Sequence, residues 1–208
     1  MKTYFFFALI FLFSLSLNAQ NYSIAAAGKT IKFNEIGKVT IVGTNDSKLT
    51  FSREEGITEE VNKLANGLRK ISASGHKDNT GFGVSVTTEG DVIMIDEVGS
   101  NNQRIIANIP NSATVVFESS SHQGGKLEVS DFSGELDVSI YYHKAYLKDV
   151  TGPVAINAVY NGITATFSKA PTEPIQLHSA YSNVDLTLPE SSKVDVALST
   201  SYGSMYTD

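Results

Sequence analysis

Tyr142, Tyr160, Tyr181 and Tyr202 stand at the same place in four successive segments of alternating polarity, and this spacing constrains the fold more than any other feature. The segments are residues 136–142 (LDVSIYY), 154–160 (VAINAVY), 175–181 (IQLHSAY) and 196–202 (VALSTSY). Three residues beyond each tyrosine comes Ala145, Ile163, Val184 or Met205. Alternation at period two marks a strand with one buried face. Recurrence of the whole unit every 18 to 21 residues marks a stacked array, because one unit cannot bury its apolar face alone.

A second pattern keeps the same register. Residues 129–134 (VSDFSG) and 147–152 (LKDVTG) match in type, and Gly134 and Gly152 each close a turn before a new alternating strand. Extended backwards, the register puts Ser121 in the tyrosine place, with Val115, Phe117 and Ser119 at the apolar positions. The connections are short polar steps, such as Asn161-Gly162 and Ser182-Asn183. They bend a chain between short strands rather than reverse it in two-residue hairpins. The expected fold is therefore all-β: a parallel β-solenoid, β-helix-like, over residues 111–208. The alternative is an antiparallel β-sandwich built from the same strands.

Residues 20–110 read as a less regular β region. Strands are expected at 30–33, 39–42, 49–51, 84–86, 92–95 and 105–109, with turns at 37–38 and 43–46 and a tight hairpin at 89–91. Within it, Val61, Leu64, Leu68 and Ile71 recur at helical spacing behind Thr58, Glu59 and Glu60. A short helix over 58–71 competes there with an irregular insertion. Residues 1–19 read as a secretory signal peptide. Lys2 precedes an apolar run from 4 to 17, and Ala19 is the small residue that closes it, so cleavage is expected to leave Gln20 first. An uncleaved anchor is the alternative, although the run is short for a span. The expected location is extracytoplasmic, in the periplasm, at the cell surface or released, with no membrane span in the mature chain.

The chain has no cysteine, which removes disulfides, thiolate metal sites and a lipidated cysteine. Its formal net charge is −6 with basic residues scattered along the sequence, so no nucleic-acid partner is expected.

With these features in hand, residues 113–208 resemble the putative-adhesin domains, a family of β-strand repeats of unknown function. The shared pattern is an alternating strand, a Ser/Thr/Asn/Tyr corner, a glycine and an apolar strand. Residues 67–75 (GLRKISASG) and 78–83 (DNTGFG) also look like the insertion carried by secreted members. The resemblance implies a right-handed β-solenoid outside the cytoplasm and transfers no site residue. The constant tyrosine at the corner is a departure from the family pattern.

No catalytic, cofactor-binding or metal site is expected. A polysaccharide-cleaving β-helix would need two carboxylates about 5 to 9.5 Å apart. The outward rows are Val116, Asp137, Ala155, Gln176, Ala197 and Glu118, Ser139, Asn157, His178, Ser199, and neither holds neighbouring carboxylates. Asp131 and Asp149 stack, but before Ser/Thr-Gly turns, where a carboxylate caps backbone N–H groups. His76, His122, His143 and His178 lack metal-ligand spacing and read as solvated surface residues. The specific candidate is the row Tyr142, Tyr160, Tyr181 and Tyr202. Its parity with Leu136, Val138 and Ile140 favours inward packing as a ladder, and exposure would favour a binding face.

The expected function is a non-enzymatic, adhesin-like surface module with an unidentified protein or glycan partner. Self-association through the C-terminal edge is expected too, because residues 205–208 begin a strand with no cap after it. A carbohydrate-active β-helix enzyme acting on polysaccharide is the alternative.

Overall fold

A computed structural model describes residues 22–53, 71–72, 74–99 and 104–207. The proposed signal peptide and nearly all of the candidate helix at 58–71 lie outside the described residues; Ile71 forms an isolated bridge with Lys77.

Every regular element described is a strand. In chain order they are β1 (Tyr22–Ala25), β2 (Thr30–Asn34), β3 (Lys38–Thr44), β4 (Lys48–Arg53), β5 (Val84–Glu89), β6 (Val92–Glu97), β7 (Ile105–Pro110) and β8 (Thr114–Ser119). The rest are β9 (Gly125–Ser130), β10 (Leu136–Tyr141), β11 (His143–Lys148), β12 (Val154–Val159), β13 (Ile163–Thr166), β14 (Ile175–Ala180) and β15 (Val184–Thr187). They form two mixed sheets. The first has the order β1-β4-β7-β3-β9-β11-β13-β15, and the second β14-β12-β10-β8-β2-β6-β5.

From β7 to β15 the chain alternates between the sheets at every strand, and from β8 onward each strand lies parallel to its counterpart one tier away; β3 is inserted between β7 and β9. Leu136 pairs with Val115 and Val154, Val154 with Ile175, and Ala145 with Ile163, then Ile163 with Val184. Equivalent residues of the repeat thus stand over one another at the strand spacing of about 4.8 Å. The stretches either side of residue 110 share both sheets, since β2 pairs with β8 and β3 with β9. Antiparallel pairs occur at the other end, where β1 and β4 edge the first sheet and the β5–β6 hairpin, turning at Gly90-Asp91, edges the second. β3 runs through to Thr44, so the turn expected at 43–46 falls one residue or more later.

The core lies between the sheets. Phe33, Phe117, Val138 and Ile156 come from the second sheet and Ile41, Val129, Leu147 and Ala165 from the first, all buried in register. Strand alternation sends every second side chain inward, so each tier contributes the same few apolar positions. Phe132, Val150 and Phe167 seal the corner after β9, β11 and β13. There the backbones nearly touch. A Cβ on Gly152 would come within 2.1 Å of the Gly134 carbonyl oxygen, and one on Gly134 within 2.2 Å of that of Ala113, which is why glycine recurs. Burial fades at the last tier, where Ile175 and Leu177 are half-buried and Val184 and Leu186 exposed.

The fourth segment departs from expectation. Residues 196–202 form no strand and pair with nothing among the described residues. Val196 and Leu198 are each 57 % exposed, so their apolar alternation is not used against the core. Met205 is likewise exposed.

Candidate functional site

The edge where the chain leaves the second sheet for the first carries the candidate site. After β10, β12 and β14 the turn is made by one residue in the left-handed region: Tyr142 (φ 57°), Tyr160 (φ 69°) and Tyr181 (φ 62°). Their backbones are fixed tier to tier, since Tyr142 N donates to Val159 O and Tyr160 N to Ala180 O, each at 2.9 Å. A left-handed conformation is uncommon for any L-residue and unusual for a bulky one, because Cβ crowds the following carbonyl.

The three rings form a column. Tyr142 and Tyr160 stack at 4.7 Å between centroids, Tyr160 and Tyr181 at 5.2 Å, both with planes 13° apart. They do not point inward. Tyr142, Tyr160 and Tyr181 are 38 %, 47 % and 82 % exposed, which corrects the expectation of a buried ladder. The reason is geometric: period-two parity holds only while the backbone is extended, and each strand has ended one residue before its tyrosine. Tyr202 is 96 % exposed and lies on an unpaired segment, so among the described residues the column has three rings, not four.

The same edge continues as a polar clasp. Glu35, also left-handed at φ 51°, turns the chain after β2. Its carboxylate accepts from Ser119 Oγ (3.1 Å), Ser120 N (3.0 Å), Ser120 Oγ (2.7 Å) and Ser121 N (3.1 Å). Partial burial pushes the carboxyl up, but the serine hydrogen bonds outweigh it and hold the group below the ordinary glutamate value. Ser121, assigned from the sequence to the tyrosine place, is thus bound by the neighbouring corner.

Histidine 143 overturns the surface reading of the histidines. His143 is fully buried. Its Nδ1 lies 3.0 Å from Tyr141 O and its Nε2 3.1 Å from Ile36 O, so one ring ties the β10–β11 corner to the β2–β3 corner. Phe117 meets it edge-on at 6.0 Å. The ring lies over Gly125, where a Cβ would stand 2.2 Å from Nε2 and 2.0 Å from Gly37 O. The glycine at 125 is the one sequence sign that something large occupies that space. His76 pairs with Asp96 at 3.3 Å, while His122 and His178 are exposed.

The aspartates act differently from the Asx-turns expected. Asp131 (φ 54°) and Asp149 (φ 53°) both serve as left-handed corners after β9 and β11. Asp149 Oδ1 accepts from Ser168 N in the next tier at 2.6 Å, and that bond holds its carboxyl below the usual value. The Asp131 carboxylate makes no such bond among the described residues. Asp78 does fold backbone around itself, accepting from Thr80, Gly81 and Gly83 N–H groups at 2.7–2.9 Å. That nest is filled by the chain's own carboxylate.

The outward rows of the second sheet are in register as read only as far as β14: Val116, Asp137, Ala155, Gln176 and Glu118, Ser139, Asn157, His178; Ala197 and Ser199, expected to continue them, lie on the unpaired segment. The second row extends to Asn34 and Asp96. Glu118 pairs with Lys32 at 2.7 Å and Asp96 accepts from Asn34 at 3.2 Å.

No family model matches the chain, and no curated protein matches it. Among solved structures the chain is similar to a protein from Clostridium sporogenes ATCC 15579 described as "a putative cell adhesion protein", with 11 % identity and a TM-score of 0.45, over 81 % of this chain and 98 % of that one.

Proposed function

We propose that this protein is a non-enzymatic, extracytoplasmic interaction module: a right-handed β-solenoid that presents an aromatic column to a protein or glycan partner at a surface. The column carries the reading. Three bulky residues occupy left-handed corners where asparagine or glycine would be less strained, and their rings stay in solvent instead of the core. Exposed stacked aromatics supply rigid contact area at small entropic cost, and tyrosine is enriched where binding energy concentrates. Self-association belongs to the same reading. β14 and β15 end their sheets with one side of the backbone unpaired, an edge that a second copy can extend.

The test compares the protein with its Tyr142→Asn/Tyr160→Asn/Tyr181→Asn variant on a glycan array and on bacterial and host cell surfaces. Release of new reducing ends is assayed in parallel. The expected result is saturable binding that the variant loses, with no reducing ends formed. Binding to uncharged glycans or to cell surfaces retained in full by the folded variant would sink the aromatic column as the contact surface, and product release would establish the polysaccharide-cleaving alternative.

A further inference from the structure

We propose that the outer face of the first sheet binds a linear acidic polysaccharide, independently of the tyrosine column. Basic residues scattered in sequence converge there. Lys38 stands opposite Lys126, and Lys126 opposite Lys144, on three adjacent strands, and Arg104, one residue before β7, continues the row. Lys148 projects from β11 on the same side. Those strands carry one carboxylate on this face, Glu128, which reaches both Arg104 (3.0 Å) and Lys126 (2.5 Å). Among the described residues these strands set five cations against one anion on this face, on a chain whose net charge is −6.

Like charges directly opposite across strands are destabilising. A row of them over successive tiers is therefore a cost that folding alone does not require. The row runs across the strands, with cations at the strand spacing of about 4.8 Å. A polyuronate has a charge repeat of the same order, one carboxylate per sugar. Beside the row lies an open groove of about 400 Å³, lined by Thr40, Glu128, Ser130, Tyr146, Lys148 and Thr164 among others, with Glu128 engaged by Arg104 and Lys126. Its hydroxyls suit the sugar hydroxyls between charges. The Tyr146 ring, with Lys126 Nζ 4.8 Å from its centre, gives the groove an apolar wall. A nucleic acid fits less well: lysines outnumber the single arginine able to clamp a phosphate in bidentate fashion.

The experiment uses the full chain and two polymers with one backbone, polygalacturonate and its fully methyl-esterified form. Binding is measured by interferometry at low and physiological salt. Polygalacturonate should bind at least about tenfold more tightly than the ester, with an affinity that falls as salt rises. Lys144→Glu/Lys148→Glu alters two exposed residues, and with circular dichroism unchanged it should lose that binding. The triple tyrosine variant should keep it, which separates this surface from the column. Equal binding of the ester, an unaffected lysine variant, or tighter capture of a single-stranded oligonucleotide would overturn the proposal.

Discussion

Substitution of Tyr160 separates two opposing contributions that the structure places on one residue. Its ring has a stacked neighbour on each side, at 4.7 and 5.2 Å, and such pairs are worth about 0.5–1.5 kcal/mol each. Its backbone sits at φ 69°, which costs an ordinary L-residue about 1–2 kcal/mol and asparagine less. Tyr160→Ala removes both stacks and keeps the backbone cost, so the loss should be about 1–3 kcal/mol. Tyr160→Asn loses the same stacks but relaxes the corner, and should be less destabilised than alanine by about 1 kcal/mol. Tyr160→Phe keeps the ring and should be nearly neutral. Tyr142→Asn and Tyr181→Asn each break one stack and should cost less than Tyr160→Asn. Urea unfolding monitored by circular dichroism measures these differences, provided the denaturant slope stays constant. Equal losses for alanine and asparagine would refute the claim of corner strain. A phenylalanine variant as weak as alanine would refute the stack as the source of stability and move the weight to the hydroxyl.

His143→Leu should cost about 1–3 kcal/mol, because the carbonyl that accepts the ring N–H, that of Tyr141 or of Ile36, loses its partner inside the fold, and thermal unfolding that barely moves would contradict the buried clamp. Acid sensitivity has a definite sign. Glu35, Glu128 and Asp149 all titrate below their ordinary values in the fold, so their stabilisation is full above the unfolded values of about 4.3 and 3.9 and is lost as pH falls through the lowered ones. Glu35→Gln should therefore lower the melting temperature at pH 7 and lower it progressively less as pH falls through the lowered value, which flattens the acid limb; a profile parallel to that of the wild type would refute the serine clasp.

What the sequence made legible is what repeats. The match of Val115, Leu136, Val154 and Ile175 follows from alternation, and the observed register pairs those residues. The pattern locates the corners but misdirects their side chains, because a single left-handed residue resets the parity that a strand pattern carries. The fourth segment shows the limit of pattern alone: residues 196–202 have the right alternation, yet no strand forms there. Composition also hid the basic face. Lys38, Arg104, Lys126 and Lys144 are far apart along the chain, and only the parallel pairing of β3, β9 and β11, beside β7, makes them neighbours. His143 was the hardest to read, since the groups that hold it come from residue 36, far back in the chain, and from its own corner. Its one trace was Gly125, a residue whose missing Cβ leaves room for the ring. In this stacked fold a glycine thus marks either a close backbone approach, as at Gly134 and Gly152, or room for a neighbouring side chain, as at Gly125, and the paired residue in the next tier, here His143, distinguishes the two.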